Sequence, residues 1–220
     1  MAVKTRLKDT GFIGFALTLL FISGCSSKAP EAVDDRILSP AQLKAQSVQV
    51  RSKWRRTLQW NNSCEDAFQA SYVGQQSGVQ VYKADNTVEL VSVLCSAGAY
   101  QPSFVYFLLA KHKSGVTAQA INFPIYASDD GWNMNRSVQT EIWGEPIFDS
   151  ERVELNILNV ARQSGDCGSW AVYSLEQASA ELMELWALFP CPQNIEAPAE
   201  QKIGVPPAGW VRVDHELILE

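Results

Sequence analysis

The sequence predicts a mainly β domain over about residues 54–213, an antiparallel sandwich or strongly curved sheet with minor helix, behind a signal peptide and flexible linker. Short runs of β-branched and aromatic residues recur along it, separated by Gly, Pro, Asn or Asp. In the strongest runs, apolar residues occupy both strand faces, as in strands packed from two sides. The hydrophobic share of 46%, with seven Trp, nine Phe and six Tyr, supplies one core for about 160 residues.

The chain opens with Lys4, Arg6 and Lys8, then Gly11 to Ile22, twelve residues without a charge. That run is short for a membrane span and suits a signal h-region. Ile22-Ser23-Gly24-Cys25 has the form of a lipobox, with small residues for cleavage and the Cys25 thiol for a diacylglycerol. The expectation is a signal peptide over 1–24 and a lipidated Cys25. Ser26 then fits outer-membrane sorting, with the protein facing the periplasm. Several acyl chains at roughly 0.8 kcal/mol per buried CH₂ anchor stably where one is marginal. Residues 25–53 read as a linker, lacking aromatics up to Trp54. Within it, Ser39-Pro40-Ala41-Gln42 has the form of a capping box that could open a short helix.

Ser63 ahead of Glu65 and Asp66 is a plausible N-cap for about two helical turns through Ala67 and Phe68. Gly78 to Tyr82 alternates as a strand, with a turn at Asp85-Asn86. Thr87 to Cys95 and Ser103 to Leu109 read as central strands. Ala118 to Phe123 is a further candidate, stopped by Pro124, and Ser128 to Asn135 is a loop. Glu154 to Val160 and Ala171 to Leu175 continue the pattern around Gly165-Asp166-Cys167-Gly168. Leu175 to Phe189 is ambiguous: Leu175, Ala178, Leu182, Leu185 and Phe189 have helical spacing, yet the segment also divides into two strands joined at Gln177 to Ala180. Residues 214–220 form a tail.

Taking Lys4, Arg6, Lys8 and Asp9 from the 18 basic and 24 acidic residues leaves 15 against 23, a net charge of −8 for the mature chain. That argues against nucleic acid as a partner. The basic cluster Arg51, Lys53, Arg55 and Arg56 could meet anionic head groups, but a solvated linker end is the plainer reading. With Cys25 committed to lipid, Cys64, Cys95, Cys167 and Cys191 remain. In an oxidising compartment they suggest two disulfides with three possible connectivities. Sequence-neighbour pairing, Cys64–Cys95 and Cys167–Cys191, is preferred, each bridge contributing roughly 3 kcal/mol. No spacing suggests a metal site, and no cofactor is expected.

Two segments, Leu90 to Gln101 (LVSVLCSAGAYQ) and Ala161 to Gly168 (ARQSGDCG), together resemble an uncharacterised bacterial family, domain of unknown function 1176. The counterparts of its motifs are Cys95, Gly98, Ala99, Tyr100 and Gln101, then Arg162, Gly165, Asp166, Cys167 and Gly168, with Cys191 and Trp210 closing the set. Gln163 stands where a Gly is expected, and Pro206 to Trp210 is a loose version of the terminal motif. The resemblance covers roughly Trp60 to Val213. It implies an exported, disulfide-bonded, β-rich protein, and it favours a hairpin over 175–189. It carries no catalytic residue to transfer.

Arg162 and Asp166 could bind a ligand at a tight turn, but glycine freedom, Asp self-capping and a Cys staple explain that motif structurally. Tyr100 is expected to pack, its OH bonded to a neighbouring loop. Trp132 and Trp143 could stack on sugars, though Trp in such a domain more often belongs to the core. Asp129-Asp130, Glu141, Glu145 and Asp149 offer carboxylates, and a glycosidase would need two of them facing across a cleft. The chain is therefore expected to be a non-enzymatic envelope lipoprotein binding a protein or glycan. The alternatives are a periplasmic inhibitor of a lysozyme-type hydrolase and a glycan or peptidoglycan hydrolase.

Overall fold

A computed structural model describes residues 51–71, 77–83, 88–113, 115–127, 135–175, 179–194, 198–200 and 202–214. All lie within the unit Ile37–Glu220. Cys25, the Pro40 segment, Asp129, Asp130 and Trp132 lie outside the described residues.

Two five-stranded antiparallel sheets share an apolar core. The first runs β1 (Val79–Lys83), β2 (Val88–Ser96), β3 (Ser103–His112) and β4 (Gly115–Ala120), with β7 (Glu141–Trp143) also on β3. The second is ordered β12 (Val211–Arg212), β11 (Glu181–Leu188), β10 (Gly168–Ser174), β9 (Glu154–Val160) and β8 (Glu145–Asp149). A ribbon of β5 (Phe123–Ala127) and β6 (Asn135–Gln139) completes the described strands.

The central strands do pack from both sides. Val91, Val93 and Cys95 of β2, with Val105, Phe107 and Leu109 of β3, bury one face under two helices. Leu90, Tyr106 and Leu108 face the opposite way, toward Leu155, Ile157, Tyr173 and Leu185 of the second sheet. Alternation along a pleated strand produces this division. The outer face of the second sheet, Leu158, Trp170 and Val172, is covered by Trp210 from the chain's end.

The described helices are α1 (Arg51–Leu58) and α2 (Asn62–Ser71). Asn61, not Ser63, caps α2: its Oδ1 accepts the Cys64 N–H at 2.8 Å and the Ser63 hydroxyl at 3.0 Å. The helix consequently starts earlier and runs longer than the sequence suggested. Nor is Arg51 on a solvated linker end. It is 8% exposed, its Nε donating to Glu65 Oε2 at 2.7 Å and its guanidinium 3.7 Å from the Phe68 ring centroid. A planar cation can lie on an aromatic face while its edge pairs with a carboxylate.

Pro124 does not stop a strand but lies within β5, opposite Val138. Both strands of a two-stranded ribbon are edges, where a missing N–H is tolerated. The 175–189 segment is the second half of a hairpin, β10 with β11. A register shift between Val172 and Tyr173 sets Tyr173 opposite Leu182 and Val172 opposite Glu184. Leu182 and Leu185, three apart, therefore both reach the shared core. A bulge thus imitates helical spacing.

Both preferred disulfides are present. Cys64–Cys95 ties α2 to β2, and Cys167–Cys191 ties the start of β10 to the segment after β11.

Candidate functional site

The inner face of the second sheet changes character along its length. Leu155, Ile157, Tyr173 and Leu185 are buried in the core. Farther along, Asn159 of β9 stands opposite Ser169 of β10, which in turn faces Ala187 of β11. Small and polar side chains there leave space that bulky ones would fill. The result is a cleft of about 410 Å³.

Its walls come from three places. Ile157, Asn159, Ser169, Ala171, Tyr173 and Leu185 form the floor, with Phe189 beyond the end of β11. Ile125, Tyr126 and Gln139 come from the β5–β6 ribbon. Tyr100 and Gln101 of the β2–β3 turn, with Ile142 and Trp143 of β7, supply the remaining side. The size falls within the roughly 300–1,000 Å³ usual for small-molecule sites.

Two glycines shape that side. Gly98 has φ +61°, and a Cβ there would lie 1.9 Å from the Gln101 carbonyl oxygen. The same Cβ would stand 3.4 Å from the Trp143 ring, so the turn and the indole lie close together. Gly144, at φ +131°, links β7 in the first sheet to β8 in the second, and a Cβ there would meet the Leu158 carbonyl oxygen at 2.4 Å. Its N–H donates to Pro102 O at 2.9 Å. The chain crosses between sheets at a point of close backbone approach, and Trp143 sits at that crossing.

The two sequence motifs, far apart in the chain, meet here. Gln101 Oε1 accepts the Val160 N–H at 2.8 Å, and Ala161 N–H donates to Cys167 O at 2.9 Å. Asn159 Nδ2 donates to Trp143 O at 3.1 Å. Tyr173 OH donates to Pro124 O at 3.0 Å, fastening the ribbon to the second sheet. Burial, and after it the neighbouring Tyr126, pushes the Tyr173 phenol well above its usual range, so it stays a neutral donor.

The residues singled out in the sequence separate clearly. Tyr100 is 48% exposed, not packed as expected, and Trp143 is 42% exposed; both line the cleft. Arg162 and Asp166 pair with each other instead. Arg162 Nε donates to Asp166 Oδ1 at 2.7 Å, a second guanidinium nitrogen reaches Oδ2, and Ser164 Oγ donates to Oδ1 at 2.6 Å. The buried carboxylate thus knits its own turn, and its hydrogen bond raises the Arg162 pKa. Glu141 accepts the Ser103 hydroxyl at 2.7 Å, while Asp149 accepts the Glu151 and Arg152 N–H groups.

Among the described residues, the cleft lining contains no carboxylate, imidazole, thiol, amine or guanidinium. No group of His, Cys, Asp and Glu there could hold a metal ion. What the arrangement offers is aromatic faces and uncharged amides. Sequence reasoning missed Gln139, Asn159 and Ser169. Asn159 is one of two Asn in β9, with Asn156 on the opposite face, so residue type alone did not single it out.

Residues 24–197 match the family described as protein of unknown function (DUF1176). The chain belongs to that family. Both motif segments that meet at the cleft, Gly98 to Gln101 and Ala161 to Gly168, lie inside the matched range. No curated protein and no solved structure matches the chain.

Proposed function

We propose that this DUF1176 member is a lipid-anchored cell-envelope protein that binds an envelope protein or glycan in its cleft without transforming it. One observation carries the binding reading: the concave lining presents aromatic rings, amides and the Ser169 hydroxyl, with no carboxylate, imidazole, thiol or amine among the described residues to activate a nucleophile or hold a metal. Among the described residues no carboxylate lines it, and Glu141 and Asp149 are engaged in local hydrogen bonds. The N-terminal pattern ending at Cys25 supports outer-membrane anchoring on the periplasmic face, and the two disulfides suit an oxidising compartment.

A photoreactive side chain at Ala161, on the exposed edge of the cleft, tests this in the exported full-length protein. Cross-linking to an envelope component from Ala161, and not from the exposed Val211 of β12, is expected. Absence of any adduct at Ala161, or release of fragments from peptidoglycan by the purified protein, would overturn the proposal.

A further inference from the structure

We infer that the ligand of this cleft is an uncharged sugar chain, stacked on Trp143 and hydrogen-bonded by Gln101 and Asn159. This rests on the reading of the cleft as a binding site. The inference comes from which hydrogen-bonding valences the structure has already used. Val160 N–H occupies Gln101 Oε1, which fixes the orientation of that amide and leaves its NH₂ as a donor. Asn159 is fixed the other way round: its Nδ2 is given to Trp143 O, leaving Oδ1 as an acceptor. One lining amide thus offers a donor and the other an acceptor, both held in place by backbone partners before any ligand arrives. A sugar hydroxyl donates and accepts at once, so a ligand carrying several of them satisfies both amides.

The aromatic surface meets the other half of a sugar's chemistry. Pyranose rings present faces of C–H bonds with partial positive charge, which settle on the negative face of an aromatic ring. Trp143 and Tyr100 offer such faces with a large part of each side chain in solvent. A charged ligand is disfavoured because, among the described residues, no ionisable side chain except tyrosine lines the cleft to pair with it. A purely apolar ligand would cover the Gln101 and Asn159 amides without satisfying them, which costs their desolvation with nothing in return. A folded protein partner normally meets about 20–30 residues a side, whereas sixteen residues line this concavity.

Calorimetry of the full-length lipoprotein, held in a detergent without a sugar head group, tests the inference. The probes are the neutral tetrasaccharides of N-acetylglucosamine, β-1,4-glucose and α-1,4-glucose, with tetragalacturonate as the anionic counterpart. At least one neutral probe is expected to bind saturably, and tetragalacturonate not at all. Trp143→Ala should weaken binding by about tenfold, the upper end of what one aromatic contact contributes, and Trp143→Phe should restore most of it. Binding of tetragalacturonate alone, of none of the four probes, or equal affinity in Trp143→Ala would overturn the inference. If no saccharide binds while Ala161 still cross-links to an envelope protein, the sugar inference fails and the binding-module reading stands. If neither occurs, both fail.

Discussion

Gln101 Oε1 accepts the backbone N–H of Val160 at 2.8 Å, joining two segments that lie 59 positions apart in the chain. Gln101 belongs to the turn after β2, and Val160 ends β9 in the other sheet. One side chain therefore bridges the sheets where the cleft opens. Gln101→Ala leaves a part-buried N–H without its partner. A loss of about 1–2 kcal/mol in urea unfolding is expected, with Gln101→Glu, which keeps an acceptor, losing less. Equal losses in the two variants would remove this bond from the account.

The disulfides should matter to folding and not to chemistry. Cys64, Cys95 and Cys167 are buried, and the bridges tie α2 to β2 and the start of β10 to the segment after β11. Replacing either pair by Ala should cost about 2–5 kcal/mol, a large part of the roughly 5–15 kcal/mol that stabilises an ordinary domain. Peptide mapping of the denatured, unreduced protein should recover the pairs Cys64–Cys95 and Cys167–Cys191. A free thiol at Cys167 would contradict the structure.

Acid should loosen the helical layer. Burial raises the Glu65 pKa, but hydrogen bonds from Arg51, Gln69 and Trp60 and the Arg51 charge outweigh it, so the value is lowered from 4.5. A carboxylate whose folded pKa lies below its unfolded one adds stability above the unfolded pKa and loses it as pH falls through the folded pKa. Thermal unfolding followed by circular dichroism should show a falling midpoint below about pH 4.5, and Glu65→Gln should flatten that limb. An unchanged limb in the variant would show that other carboxylates govern it.

Much of the fold was legible in the sequence, because alternation and chain breaks report burial directly. Thr87 to Cys95 and Ser103 to Leu109 were readable as central strands since their apolar residues fill both faces. Local chemistry that imitates another pattern was harder to read. The β-bulge at Val172 and Tyr173 gave Leu182 and Leu185 helical spacing, and Asn61 took the capping role expected of Ser63. The cleft was half legible: Tyr100 and Trp143 stood out as aromatics, but exposure is a property of packing, not of residue type. Asn159 and Ser169 became visible only once strand register set them opposite each other. Arg162 and Asp166 looked equally suited to ligand or turn, and their mutual pairing decided for the turn.

The proposed anchor makes its own prediction. Cys25→Ala should leave uncleaved precursor or abolish partitioning into a detergent phase, because the acyl chains supply the membrane affinity. A variant that matures and fractionates like the unmodified chain would refute lipidation at Cys25.

The most direct test of the cleft as the binding site is a ¹⁵N–¹H spectrum of the protein titrated with the neutral tetrasaccharide that binds best. Shifts of the Trp143 indole and of the Gln101 and Asn159 side-chain amides are expected. The Trp54 and Trp170 indoles, fully buried on the outward faces of the two sheets, should stay in place. Shifts confined to residues away from the cleft, or none at saturating sugar, would contradict it.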